Sequence, residues 1–232
     1  MTGTPARKRR FRRSVASVFL PFMLLISMDV PATAQVAGSS FTSSEPPQPR
    51  LWNLSSLLDL RSTPVVSSGS MIEVVSPSQA RMRCSLTLVD NKAYTAGHCG
   101  PVGSEVLVDE RAVGYIEHNY LPEGRGMDLA EVRLFSSTTV VFDEGVANYS
   151  PSLGDDLDIN SSAGDSFGKI TSLTSPLREA YLNGALHPVK PIVVQSRTVP
   201  GDSGAPVRYN GKTVAIVQGG DLKATTYIVL LP

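Results

Sequence analysis

From about Val65 onward the chain is a succession of short apolar runs broken by turn-forming residues, and no run sustains the 3.6-residue spacing of an amphipathic helix. Residues 71–75 form the first run. Residues 85–89 and 92–95 flank Asp90-Asn91, a spacing that predicts a tight β-hairpin. Residues 105–108 and 112–117 flank Asp109-Glu110-Arg111, and residues 128–134 follow the glycine-rich loop Pro122-Glu123-Gly124-Arg125-Gly126. After a run at 138–142, residues 145–154 read as a crossing segment, with Pro151 and Gly154 as breakers. A second set of runs lies at 168–173, 191–195, 205–208, 213–218 and 225–231, and Asn210-Gly211 is a strong type I′ hairpin signal between two of them. Many short strands and few helical periods predict an all-β barrel or sandwich.

The first 64 residues follow other rules. Residues 35–64 are Ser/Pro-rich, with Pro46-Pro47-Gln48-Pro49 at their centre, and read as a pro-segment or linker; residues 52–60 allow one short amphipathic helix. Ahead of them, six Lys/Arg between Arg7 and Arg13 precede a mostly apolar stretch at 14–28, and Ala32-Thr33-Ala34 supplies the small residues of a cleavage site. Residues 1–34 are therefore expected to be a signal peptide, and the protein to be secreted, without stable membrane association after cleavage. An uncleaved anchor is the alternative; no later segment is long and apolar enough to cross a bilayer.

Charge changes meaning once that leader is set aside. The whole chain of 232 residues has a formal net charge of zero, but the residues after 34 hold 15 basic against 20 acidic side chains, a net of −5. A mildly acidic remainder gives no electrostatic reason to expect nucleic-acid binding. The two cysteines, Cys84 and Cys99, form an even pair, which in an exported protein favours one disulfide over two reduced core thiols.

Three places carry candidate chemistry. Pro200-Gly201-Asp202-Ser203-Gly204-Ala205-Pro206 sets a serine between glycines, and glycine at 201 lets the N–H groups of Gly201 and Ser203 point into one small space. A serine hydroxyl needs a base and an oxyanion site to act as a nucleophile. His98, in Tyr94-Thr95-Ala96-Gly97-His98-Cys99, can be that base. Asp128, at the head of an otherwise apolar run, can accept the imidazole proton and fix its tautomer. Taken singly, each has an ordinary structural reading: a turn serine, a strand-end histidine, a strand-end aspartate. His118 and His187 lack any such setting and are expected on the surface.

In this order, TAGHC, DLAEVRL and PGDSGAPV resemble the three signature blocks of the chymotrypsin-like (trypsin-fold) serine proteases, and most of all the short bacterial, streptogrisin-like members. The resemblance covers about residues 65–232. The order His, Asp, Ser, with separations of 30 and 75 residues, separates this lineage from subtilisin-like enzymes and α/β-hydrolases. It implies two six-stranded antiparallel Greek-key β-barrels, the first over about 65–145 and the second over about 155–232, with the active site in the cleft between them. It further implies a monomeric endopeptidase acting on protein or peptide substrates, with neither metal nor cofactor. Residue by residue, Ser203 matches the nucleophile, His98 the general base and Asp128 the residue that orients it. The N–H groups of Gly201 and Ser203 match the oxyanion hole, and Asp202 a buried aspartate that shapes the loop. Gln218, Gly219 and Gly220 match the strand edge that pairs with substrate, and Cys84–Cys99 the disulfide beside the histidine.

The sequence departs from that pattern in places. Ala205 replaces a glycine, Gln218 stands where a serine usually supports the aspartate, and no cysteine follows Cys99 to brace the specificity pocket. Walls for that pocket are expected from residues 194–200 and 217–226. Arg197 is the only charge in the first of these stretches, placed to meet an acidic substrate or to face solvent. A secreted binding protein that keeps the fold without turnover is the alternative function.

Overall fold

The structure, a computed structural model, describes residues 64–145, 148–161, 164–176 and 178–232. The suggested helix at 52–60 and the leader at 1–34 lie outside the described residues. Those described form strands with two short 3-10 turns, Gly97–Cys99 and Leu121–Glu123, and no α-helix.

The first half contributes β1 (Val65–Ser67), β2 (Met71–Val75), β3 (Arg81–Ser85), β4 (Thr87–Val89), β5 (Lys92–Thr95), β6 (Glu105–Val108), β7 (Arg111–Asn119), β8 (Ala130–Leu134) and β9 (Thr139–Val141). Seven of these make one sheet in the order β3-β2-β6-β7-β8-β5-β4. Its two edges, β3 and β4, are consecutive pieces of a single stretch that bends at Leu86. The sheet therefore curls until one strand serves both edges, and the run expected at 85–89 is the second part of that bent strand. This is how a six-stranded barrel comes to hold seven hydrogen-bonded segments. Alternating residues fill the interior: Ile72, Val74, Leu86, Leu88, Val106, Val113 and Ile116 are all buried. Each such side chain contributes about 1.5–3 kcal/mol relative to exposure.

The second half contributes β10 (Asp156–Ser161), β11 (Gly164–Ser172), β12 (Arg178–Leu182), β13 (Ala185–Val189), β14 (Ile192–Gln195), β15 (Pro206–Tyr209), β16 (Lys212–Gly220) and β17 (Thr225–Leu230). Six close into a barrel, β10-β11-β14-β17-β16-β15, around Leu157, Ile159, Ile170, Val194, Val207, Val217 and Ile228. Val89, Tyr94 and Leu129 from the first half and Ile216 and Val229 from the second form one buried cluster that joins the barrels.

Turn chemistry sets the registers. Asp90-Asn91 and Asn210-Gly211 both take left-handed backbone at two successive positions, as a type I′ turn requires, and Asp109-Glu110 does the same. Four stretches exceed the expectation: β1, β3, β10 with the start of β11, and the separate hairpin β12–β13. The hairpin docks on the first barrel through Leu121, which is buried with Ala180, Leu182 and Val189.

Candidate active site

His98 sits in the 3-10 turn that ends β5. Cys99, its neighbour, is bonded to Cys84 of β3. The His98 ring and the two sulfurs lie close together, but sulfurs bonded to each other supply no thiolate for a metal. Asn119, at the end of β7, braces the turn from behind. Its amide nitrogen donates to the Gly97 carbonyl at 2.7 Å and the Gly100 carbonyl at 2.8 Å, and its oxygen accepts the Leu121 N–H at 2.9 Å.

Asp128 lies just before β8 and is 1% exposed. Both its oxygens are committed to His98: Oδ1 accepts the His98 backbone N–H at 2.7 Å, and Oδ2 lies 2.7 Å from Nδ1. An ionised carboxylate only accepts, so Nδ1 carries the proton and Nε2 of the neutral ring presents a lone pair. Nε2 is 3.0 Å from Ser203 Oγ. Burial by itself disfavours the His98 imidazolium, but the charge and hydrogen bond of Asp128 outweigh it, leaving the ring with a raised pKa. The structure thus brings together three residues separated by up to 105 positions.

The Ser203 loop is held by the bend between β3 and β4. The Ser85 N–H donates to the Ser203 carbonyl at 2.7 Å, Ser85 Oγ to the Gly201 carbonyl at 2.8 Å, and Thr87 Oγ1 to the Gly204 carbonyl at 2.7 Å. Within the loop, the Asp202 N–H bonds Val199, the Gly204 N–H bonds Val217, and the Ala205 N–H bonds Asp202. The N–H groups of Gly201 and Ser203 have no acceptor among the described residues. These two N–H groups are free to donate to a group placed beside them. Gly204 has φ of +91°, and a Cβ on it would meet the Ser85 carbonyl oxygen at 2.2 Å. Glycine is required there by conformation and by space. Asp202 is buried; Oδ2 accepts the Val199 N–H at 2.7 Å, and Oδ1 has no partner among the described residues.

A cavity of about 240 Å³ opens beside these groups, with His98 and Asp128 on one side, Arg178 and Tyr181 of the hairpin on another, and Gln218, Gly219 and Gly220 on a third. The ladder between β16 and β17 slips at Gln218, so this edge is re-aimed just where it passes Ser203. Gln218 donates no hydrogen bond to Asp128; its carbonyl lies 3.5 Å from Ser203 Oγ. Arg197 is exposed, while its neighbours Ser196 and Thr198 turn inward. His118 is half-buried on β7 and paired with Glu123 at 2.7 Å, and His187 is half-buried on β13; neither reaches Ser203. A larger cavity, about 570 Å³, lies against Lys92, Glu117, Arg133 and Phe142, with none of these site residues in its wall.

Sequence reasoning missed two contributors. Asn119 carries no motif; its role comes from burial at a strand end. The hairpin was signalled by Asn183-Gly184, whose left-handed backbone makes another type I′ turn. Arg178 of that hairpin stacks over the Tyr227 ring at 3.8 Å.

No family model matches the chain, and no curated protein matches it. Solved structures do. Thermobifida fusca protease A aligns at 20% identity and a TM-score of 0.55, covering 72% of this chain and 91% of that one. A chymotrypsin from Cellulomonas bogoriensis aligns at 22% and 0.55 over 72% and 91%. A Nocardiopsis protease aligns at 21% and 0.54 over 72% and 92%. At these identities the likeness is one of fold: the chain has the two-barrel architecture of the bacterial chymotrypsin-like serine proteases.

Proposed function

We propose that this protein is a secreted serine endopeptidase, exported by residues 1–34 and cleaving peptide bonds through Ser203, His98 and Asp128. The observation that carries the reading is the linked pair of short contacts, Asp128 Oδ2 to His98 Nδ1 at 2.7 Å and His98 Nε2 to Ser203 Oγ at 3.0 Å. An orienting carboxylate, a base and a nucleophile stand in line there. Near them are two unspent backbone donors and an open cleft.

In this mechanism Ser203 Oγ attacks the scissile carbonyl carbon while its proton passes to His98 Nε2. Asp128 stabilises the imidazolium without taking its proton. Negative charge gathers on the former carbonyl oxygen, where the N–H groups of Gly201 and Ser203 donate to it; such a donor is worth about 3–4 kcal/mol of barrier. Collapse expels the amine, which takes the proton from His98, and leaves an ester on Ser203. Water, deprotonated by His98, then releases the acid. The substrate backbone lies along Gln218, Gly219 and Gly220 as an added strand.

Labelling with a fluorophosphonate probe tests the reading. Wild-type protein is expected to take the label on Ser203 and hydrolyse a peptide library; Ser203→Ala is expected to do neither while melting at the wild-type temperature. A folded wild-type protein that neither labels nor hydrolyses would be a binding protein on a protease fold.

A further inference from the structure

Resting on that reading, the walls beside Ser203 also carry information about which bond is cut. An acyl-side residue whose carbonyl reaches Ser203 must lie against Gln218, because the Gln218 carbonyl is 3.5 Å from Ser203 Oγ. Side chains of an extended substrate alternate in direction. With the pocket walls expected at residues 194–200 and 217–226, the side chain of the residue next to the scissile bond would be directed between the Gly220 edge and the segment from Ser196 to Pro200.

That space is already occupied. A Cβ on Gly220 would come 2.5 Å from Thr198 Oγ1, so Thr198 closes on the strand edge. Thr198 is only 3% exposed, and Thr226, which pairs with Gly220 across the β16–β17 ladder, is 0% exposed. Thr226 Oγ1 donates to the Ser196 carbonyl at 3.0 Å and lies 3.3 Å from Thr198 Oγ1. The two threonines touch each other, which leaves the loop packed against the strand edge. Gly219, one residue back and on the opposite face, meets nothing within 4 Å. The edge is thus open toward the cleft and shut toward the loop.

We propose that Thr198 and Thr226 make this a small-residue site, in which the residue supplying the scissile carbonyl must be glycine or alanine. A longer apolar side chain would have to displace Thr198 from Gly220. A charged one meets hydroxyls already engaged with each other and with Ser196, while Arg197 faces solvent.

The test is a peptide series identical except at the acyl-side residue, carrying Gly, Ala, Val, Leu, Phe, Lys or Glu, read as kcat/KM alongside fluorophosphonate labelling of Ser203. Wild-type protein is expected to favour Ala or Gly over Leu and Phe by about 100-fold, the scale of discrimination a packed pocket reaches. Thr198→Gly is expected to narrow the Ala-to-Leu ratio by about 10-fold or more, compared on protein that still takes the fluorophosphonate label. Thr198→Ser keeps the hydroxyl and loses one methyl, so it is expected to fold and to fall between the two. Wild-type protein that labels and hydrolyses but prefers Leu, Phe, Lys or Glu overturns the small-residue assignment and leaves the endopeptidase standing. Absence of both labelling and hydrolysis removes the endopeptidase and this assignment together.

Discussion

The backbone N–H of Ser85 donates to the carbonyl of Ser203 at 2.7 Å, across 118 positions of sequence and from one barrel to the other. Ser85 Oγ adds a second bond, to the Gly201 carbonyl. Ser85→Ala leaves that carbonyl without its partner next to a buried strand, a loss of about 1–3 kcal/mol. Urea denaturation is expected to show it, together with slower fluorophosphonate labelling of Ser203. Unchanged labelling would mean that the loop holds its shape without the first barrel.

Gly204→Ala is expected to be much worse. The new methyl would stand 2.2 Å from the Ser85 oxygen at a φ of +91°, so both the contact and the backbone oppose it. Destabilisation of about 3 kcal/mol or more follows. Thermal melting measures it, and a variant within 1 °C of wild type would contradict the geometry.

Asn119→Ala tests the brace behind His98. Two buried carbonyls, of Gly97 and Gly100, lose their donor. Each unmet group costs about 1–3 kcal/mol. If the turn is also loosened, kcat is expected to fall more than KM rises, because the imidazole leaves its line with Ser203. Asn119→Asp supplies an acceptor where donors are needed and is expected to rescue nothing.

Protonation of His98 couples activity and stability in opposite directions. Its pKa is raised in the folded protein, by the charge and hydrogen bond of Asp128 prevailing over burial. As the proposed base, His98 works only when neutral, so kcat/KM is expected to climb at a pH above the ordinary imidazole value of ~6.5. The stabilisation contributed by the charged ring is complete below that ordinary value and disappears as pH rises through the folded one. Wild-type melting temperature is therefore expected to fall slightly over the window in which activity rises, and His98→Ala to lack that fall. Asp128→Asn is expected to lower kcat by about 10⁴-fold and to remove the raised pKa.

Strands with alternating apolar residues and paired turn residues were legible from sequence because those signals are local. The ends of β2, β5 and β6 follow directly from them. The bend at Leu86 was not legible, since no glycine or proline marks it and only a change of partner, from β2 to β5, divides the chain there. β12–β13 was hidden by composition: Tyr181 and Leu186 are exposed, and Pro188 lies inside β13, so the pattern does not alternate as a core strand should. The motif blocks named His98, Asp128 and Ser203, which meet in space. They said nothing of Asn119, Ser85 or Thr198, which act through contacts between residues distant in sequence or through the filling of a recess, and no spacing rule reports either.

Because Leu86 lets one strand serve both edges of the first barrel, the loop bearing Ser203 is gripped by a segment near the beginning of the described chain. The second barrel, in turn, closes only when β17 lies between β14 and β16. Contacts this distant in sequence form late and slowly during folding. A chain whose β17 has not yet emerged from the ribosome therefore has His98 and Asp128 but no seated Ser203. The line from Asp128 through His98 to Ser203 is thus completed only when the last barrel strand arrives.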